Sequence, residues 1–123
     1  MKIFNIEEYV QMTNPTPGQA YRPAIVTTED NAKDLAVRFC LNEPGSETRF
    51  HYHKENEVVR IVISGEATHI TVTPAGEIKE NIIKAGDVLY IPAGEVHRLI
   101  NKDVRFLEFL THPPIVTTHV DQK

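Results

Sequence analysis

Two histidines two residues apart, His51 and His53, are the side chains best suited to chemistry. On a β-strand successive side chains alternate faces, so both imidazoles point the same way, roughly 7 Å apart along the strand. Two imidazoles at that separation can converge on one metal ion. Glu55 and Glu57 follow with the same parity, and alternation alone does not choose between them as a further ligand. Histidine with carboxylate suits Fe, Mn, Ni, Co or Zn. An H-x-H pair also occurs on solvated strand edges, so the reading needs a second source of ligands.

A second stretch supplies one. It reads Gly86-Asp87-Val88-Leu89-Tyr90-Ile91-Pro92-Ala93-Gly94-Glu95-Val96-His97-Arg98-Leu99-Ile100-Asn101. The first stretch, from Gly45 through His51, His53 and Glu57 to Gly65, resembles the first motif of the cupin superfamily. The second resembles the second cupin motif at every position: glycine, P-x-G, histidine and asparagine at the family's spacing. The resemblance covers Gly45 to Asn101, nearly half the chain. It implies a small single-domain cupin in which His51, His53, Glu57 and His97 bind one divalent transition metal, with Glu57 preferred over Glu55. One departure exists. Seven residues separate Glu57 from Gly65, one more than the family pattern has, which reads as a bulge or a longer turn. It leaves the facing of residues 58–64 open.

The elements that must position these residues are short strands. Asn5-Ile6-Glu7-Glu8 is a capping-box pattern, predicting a short helix to about Gln11 whose Ile6, Tyr9 and Val10 dock on the rest. Asn14-Pro15-Thr16-Pro17-Gly18 ends it. Tyr21 to Thr28 reads as a strand, followed by a Glu29-Asp30-Asn31 turn. The next strand is Leu35 to Leu41, with Leu35, Val37, Phe39 and Leu41 on one face and Arg38 and Cys40 on the other. Glu43-Pro44-Gly45-Ser46 is a turn into the histidine strand. Val58 to Ile63 is nearly all apolar and β-branched, as for a strand buried on both faces, interrupted by Arg60. Ser64-Gly65-Glu66 reads as a turn. Strands follow at Ala67–Thr73, Glu77–Ile83, Val88–Ile91 and Val104–Leu110, with an edge segment at Ile115–Val120. Even spacing of short strands with Gly and Pro between them predicts an all-β sandwich or barrel. The resemblance narrows this to the cupin double-stranded β-helix, a jelly-roll-like barrel. The chain reads as one domain, with a helix or arm at 1–22, the barrel at 23–111 and a tail at 112–123.

Composition bounds the partners. Thirteen basic and seventeen acidic residues give a formal charge of −4, and no basic block is present, which counts against nucleic acid. No apolar run approaches membrane length and no basic-then-apolar leader opens the chain. One cysteine, Cys40, rules out an internal disulfide framework and fits a reducing, cytoplasmic setting. The resemblance further implies a homodimer with the N-terminal arm at the interface.

Strand facing names the remaining pocket residues. Leu99 shares parity with His97 and is expected to line the site. Arg38 either points into the barrel, as an arginine at the matching place can in small cupins that this chain resembles, or lies outside in an ion pair. Pointing inward it is a bidentate fork for a carboxylate or phosphate. Val104, Phe106, Glu108 and Leu110 share a face. If that face is inward, Phe106 contacts substrate and Glu108 is a general acid or base; otherwise Glu108 meets solvent or a partner. Arg60, His69 and Arg98 are read as surface or interface residues, and His112 and His119 carry no assigned role. Cys40 is a small packed residue rather than a nucleophile.

Three imidazoles and a carboxylate leave an octahedral metal with two open positions. The expected function is a metal-dependent enzyme, an isomerase, lyase or dioxygenase, acting on a small oxygen-rich molecule such as a sugar, keto acid or diketone. The alternative is a non-catalytic cupin that binds or senses a small ligand around a structural metal.

Overall fold

The computed structural model describes residues 1–15, 20–43 and 48–120, leaving out the side chains of 101 and 102. The turn expected at 44–46 and the first glycine of the histidine motif lie outside the described residues, as does Pro17-Gly18. The elements are α1 (Ile6–Val10), β1 (Ala20–Tyr21), β2 (Ala24–Val26), β3 (Leu35–Asn42), β4 (His51–Tyr52), β5 (Val58–Val72), β6 (Ile78–Lys84), β7 (Val88–Ile91), β8 (Val96–Thr111) and β9 (Thr118–His119). The chain is mostly strand and curls into the double-stranded β-helix expected from the sequence.

Two long strands organise everything else. β5 and β8 pair antiparallel along most of their length. β3 adds to the C-terminal half of β8, and β4 adds to its N-terminal half through His51 and His97. β7 and β6 add to the first and second halves of β5. All the ladders are antiparallel, so short local hairpins and one long crossing can build them.

The sequence suggests a break in β5 at Ser64-Gly65-Glu66 and a last strand beginning only at Val104, and the structure corrects both. Ser64-Gly65-Glu66 is not a turn between strands. It lies within β5, where the pairing with β8 slips at Val62/Ser64 and again at Glu66/Ala67. Gly65 has φ +78°, and a Cβ there would stand 1.7 Å from the carbonyl oxygen of Asp103. Only glycine permits that backbone contact, and the paired slips bend the sheet around the barrel. They also reverse the facing of both strands. Before the bend Val58, Arg60 and Val62 are buried; after it Ala67 and His69 are. On β8, Val104, Phe106, Glu108 and Leu110 face in, whereas His97 and Leu99 do so nearer its start.

Apolar residues pack on both sides of the curved sheet. Inside, Cys40, Val62, Ala67, Ile83, Leu99, Val104 and Phe106 form one cluster. Outside, the apolar face of β3 and Leu107 meet α1, whose Ile6, Tyr9 and Val10 dock as expected. Asn5 caps the helix by accepting from the backbone N–H of Glu7 at 2.8 Å. Arg105 on the outer face of β8 donates to the carbonyl oxygens of Val10 and, at 2.8 Å, Met12. That places a cation against the end of the helix where carbonyls are left unbonded. The strand expected over Tyr21–Thr28 divides at Pro23 into β1 and β2, since proline removes a ladder donor. Among the described residues no helix is long and apolar enough to cross a membrane.

Candidate metal centre and adjoining cleft

β4 is only two residues long, yet three kinds of contact hold it. His51 stands directly opposite His97 in the β4–β8 pairing. Thr48, just before β4, exchanges bonds with Leu99: its N–H donates to the Leu99 carbonyl at 3.0 Å, and its hydroxyl accepts the Leu99 N–H at 2.8 Å. Gly94 donates its N–H to the His53 carbonyl at 2.8 Å. The two motif stretches are therefore stitched together through main chain.

The result is a buried three-histidine group. One ring nitrogen from each of His51, His53 and His97 lies within 4.8 Å of the others. Each ring's Nδ1 faces a backbone carbonyl: Arg49 for His51 at 2.6 Å, Val116 for His53 at 3.1 Å and Glu95 for His97 at 2.8 Å. A carbonyl only accepts, so each Nδ1 carries the proton. Burial keeps the rings neutral. It pushes His51 down to about 4 against the opposing pull of the Arg49 carbonyl, and it lowers His53. His97 falls to about 2 through burial, with Arg60 and His51 adding to the effect. A neutral ring protonated on Nδ1 has its lone pair on Nε2. The Nε2 of His97 is buried with no hydrogen-bond partner among the described residues. Three converging lone pairs, one of them orphaned, with the outer nitrogens fixed by carbonyls, fit a transition-metal ion.

Glu57 is not brought to this group. Its carboxylate accepts from the hydroxyl of exposed Tyr90, the neighbour of Val59 on β7. The inward positions at the start of β5 are Val58 and Arg60. The family's spacing counted back from Gly65 falls on Val58, and the extra residue leaves the glutamate one position before this buried valine. Among the described residues the group that could hold a metal ion is these three histidines.

Glu108 and Arg38 do face inward. Glu108 lies laterally between Arg38 on β3 and Arg60 on β5. Arg38 Nε contacts one carboxylate oxygen and Arg60 Nε the other, the latter at 2.6 Å. Burial opposes ionisation of Glu108, but Arg60 and Arg38 outweigh it and hold the carboxyl at about 2. A carboxylate so clamped is a weak base and no acid near neutral pH. Its place here is to orient two guanidiniums.

Arg60 and His69, read from sequence as surface residues, are both buried, at 5% and 4% exposure. Arg60 also rests over the Phe106 ring, 4.8 Å from its centroid. His69 stacks on His97 with centroids 5.6 Å apart and planes 21° from parallel. Arg98 is half-buried over Phe50. Leu99 and Phe106 belong to the inner apolar cluster and are not among the cleft-lining residues. Burial drives the Cys40 thiol up to about 12, so it is no thiolate nucleophile.

A cleft of about 420 Å³ opens onto His51 and His53. Arg22, Arg38, Arg49 and Arg60 line it, with Thr117 and His119 from the C-terminal segment. That segment returns through β9, which pairs with β4. Asn56 pins it. Its amide donates to the carbonyls of Thr111, His112 and Pro114 at 2.7, 3.1 and 3.4 Å, and accepts the Val116 N–H at 3.2 Å. Sequence reasoning missed Asn56, His119 and Arg22, whose roles arise from contacts distant in the chain.

A family model described as "Cupin domain" matches residues 38–112. A glucose-6-phosphate isomerase of Pyrococcus abyssi is 27% identical over 116 residues, 87% of this chain and 60% of that protein. Auxin-binding protein 1 of Arabidopsis thaliana is 25% identical over 118 residues, 90% of this chain and 59% of that one. The chain thus spans about 60% of the length of these curated relatives. Among solved structures, a conserved double-stranded β-helix protein of Klebsiella pneumoniae superposes with a TM-score of 0.78 at 23% identity, covering 99% of both chains. Oxalate decarboxylase of Bacillus subtilis, described with Mn(II) centres, gives a TM-score of 0.70 at 23% identity, covering 82% of this chain and 27% of that one. At those identities the structural likenesses show the fold.

Proposed function

The chain belongs to the cupin family, and from that premise we propose that it is a metal-dependent enzyme acting on a small oxygen-rich molecule. The observation that carries the proposal is the protonation pattern of the three histidines. Each Nδ1 is committed to a carbonyl, and each Nε2 lone pair is left for an ion held by His51, His53 and His97. Fe, Mn, Ni, Co and Zn all accept imidazole ligands. Bound there, such an ion supplies Lewis acidity toward a substrate oxygen or a site for dioxygen. The chain's own residues keep the imidazoles neutral and oriented, exclude water from His97, and open a cleft sized for a small molecule. The relatives include a sugar-phosphate isomerase and, by fold, a decarboxylase, which keeps isomerase and lyase chemistry in view beside the dioxygenase chemistry that an open metal site would allow.

Elemental analysis of protein purified without added metal is the direct test. About one transition ion per chain in the native protein, lost in His97→Ala, is the expected result. A protein that never retains a divalent ion ends the proposal. Activity that persists without O₂ assigns isomerase or lyase chemistry, and activity that requires O₂ assigns dioxygenation.

One observation favours a second reading, a binding or sensing cupin without turnover. Glu108 is locked between guanidiniums and is not placed to move a proton. A metabolite-library thermal shift that finds a ligand, with no product formed on incubation, selects this reading. We also propose a homodimer, motivated by the exposed Ile82 and Val88 on the outer strands β6 and β7; light scattering that gives a monomer mass contradicts it.

A further inference from the structure

The cleft beside the histidines is cationic, although the chain carries a formal charge of −4. Four arginines line it, and among the described residues no aspartate or glutamate does. Arg60 is the most informative of them. It is 5% exposed and its Nε is paired to Glu108, but its Nη1 is buried with no hydrogen-bond partner among the described residues. Buried guanidinium donors are rarely left unbonded, because each forgoes its hydration without replacement. Arg38, 20% exposed, also lines the cleft and meets the same carboxylate through its Nε. One carboxylate between two guanidiniums leaves one positive charge uncompensated. Both forks are fixed by Glu108, so little side-chain freedom is lost when a ligand docks.

We propose that Arg38 and Arg60 form an anion subsite beside the three histidines, and that the molecule bound in this cleft carries a carboxylate or phosphate group that docks on Arg60 Nη1 and the Arg38 guanidinium. The inference rests on the reading of the histidine cleft as the ligand site, and it adds the charge that the ligand must bear. Glu108 is a positioning residue in this subsite: it sets the two guanidiniums and touches no ligand atom. The cleft volume suits a compact acid or phosphate ester rather than a polymer.

Isothermal titration of the protein as purified, and again after chelator treatment, with glycolate, glycerol phosphate and glycerol tests this. At least one anion binds and glycerol does not, and binding weakens as salt rises. Glycolate alone binding identifies a carboxylate ligand, and glycerol phosphate alone a phosphate ester. Arg38→Gln, at a partly exposed position, weakens anion binding by about tenfold or more, the range for losing a charged hydrogen bond. Glu108→Gln weakens it as well while metal content stays unchanged. Failure of both anions to bind, equal binding of glycerol, or unchanged affinity in Arg38→Gln overturns the proposal. Metal content measured on the same samples separates the two claims. Metal retained without anion binding removes the subsite and leaves the metal centre; anion binding without metal does the reverse.

Discussion

His51 and His97 are Cα partners across the β4–β8 pairing, and their rings stand 4.3 Å apart. One pairing thus joins the two halves of the candidate centre, which lie far apart in the chain. On the proposed ligand assignment, loss of either ring removes a ligand rather than an outer contact. His97→Ala is expected to lower metal affinity by more than the roughly 10–100-fold seen for outer-shell changes. Competition against a chromogenic chelator measures it, and retention of native affinity contradicts the assignment.

Glu57 leads to the opposite expectation. Its carboxylate accepts from exposed Tyr90 and is not part of the three-histidine group. Glu57→Gln keeps a hydrogen-bond acceptor for Tyr90 and removes the charge. Metal stoichiometry and affinity are expected to stay within about twofold of the native protein, since a surface contact is worth roughly 0–1 kcal/mol. A large loss of metal in this variant would show that the glutamate swings inward to ligate.

The histidines were legible in the sequence because motif spacing survives any error in strand facing. Arg60 and His69 are not, and for His69 the reason is Gly65. Alternation gives facing only within an unbroken strand, and the double slip around Gly65 reverses parity in mid-strand. His69 therefore turns toward His97 although Ile70 and Val72 mark the apolar side in sequence. Arg60 sits between Val58 and Val62 in an apolar run, and its only clue was the need for a charge partner, supplied by Glu108 on the adjoining strand. Arg38 and Glu108 were legible as inward possibilities, but that they share one ion-pair cluster depends on register across three strands.

Acid should destabilise the metal-free protein. The histidines titrate near 6.5 when unfolded, whereas burial holds His51 at about 4 and His97 at about 2 when folded. Between those values the unfolded chain binds more protons, so stability rises with pH. The contribution is fully present above pH 6.5 and is lost as pH falls through about 4 and then about 2. Glu108 acts in the same direction at lower pH, being held at about 2 against an ordinary 4.5. The slope is at most about 1.4 kcal/mol per pH unit for each histidine in its window. Melting temperatures from pH 8 downward, with and without a divalent metal, should fall in parallel until about pH 4, because the folded rings stay neutral to that point, and converge below it as protons displace the metal. A metal-dependent gap that persists unchanged well below pH 4 would contradict the ligand assignment.

Asn56 is a positioning residue for His53. Its amide holds the 111–116 segment at four points, and the Val116 carbonyl in that segment fixes the His53 tautomer. Asn56→Ala leaves several half-buried backbone groups without this partner, at up to about 1–3 kcal/mol for each one that water does not reach. Metal affinity is expected to fall about tenfold as His53 loses its anchor. Asn56→Asp keeps the acceptor for the Val116 N–H and loses the three donations. It should recover part of the stability and little of the affinity. A stability loss with unchanged metal affinity would reduce Asn56 to a structural role.

Gly65 sets the bend on which the centre depends. At φ +78°, with the Asp103 carbonyl 1.7 Å from any Cβ, alanine cannot be accommodated without moving backbone. The obstacle is a main-chain oxygen inside the β5–β8 ladder, so no side-chain rotation relieves it. Gly65→Ala is expected to cost about 3 kcal/mol or more, combining positive-φ strain with a broken ladder. The damage should also reach the site, because His69 and Arg60 lie on opposite sides of the bend and face inward only through its parity switch. A variant that folds should therefore bind metal less tightly than native protein in proportion to its lost stability. Gly94→Ala offers the contrast: its φ is +85°, but a Cβ there meets nothing within 4 Å. It carries the conformational penalty alone, about 1–2 kcal/mol. Denaturant midpoints for the two variants measure the difference, and equal losses would show that the Asp103 contact is unimportant.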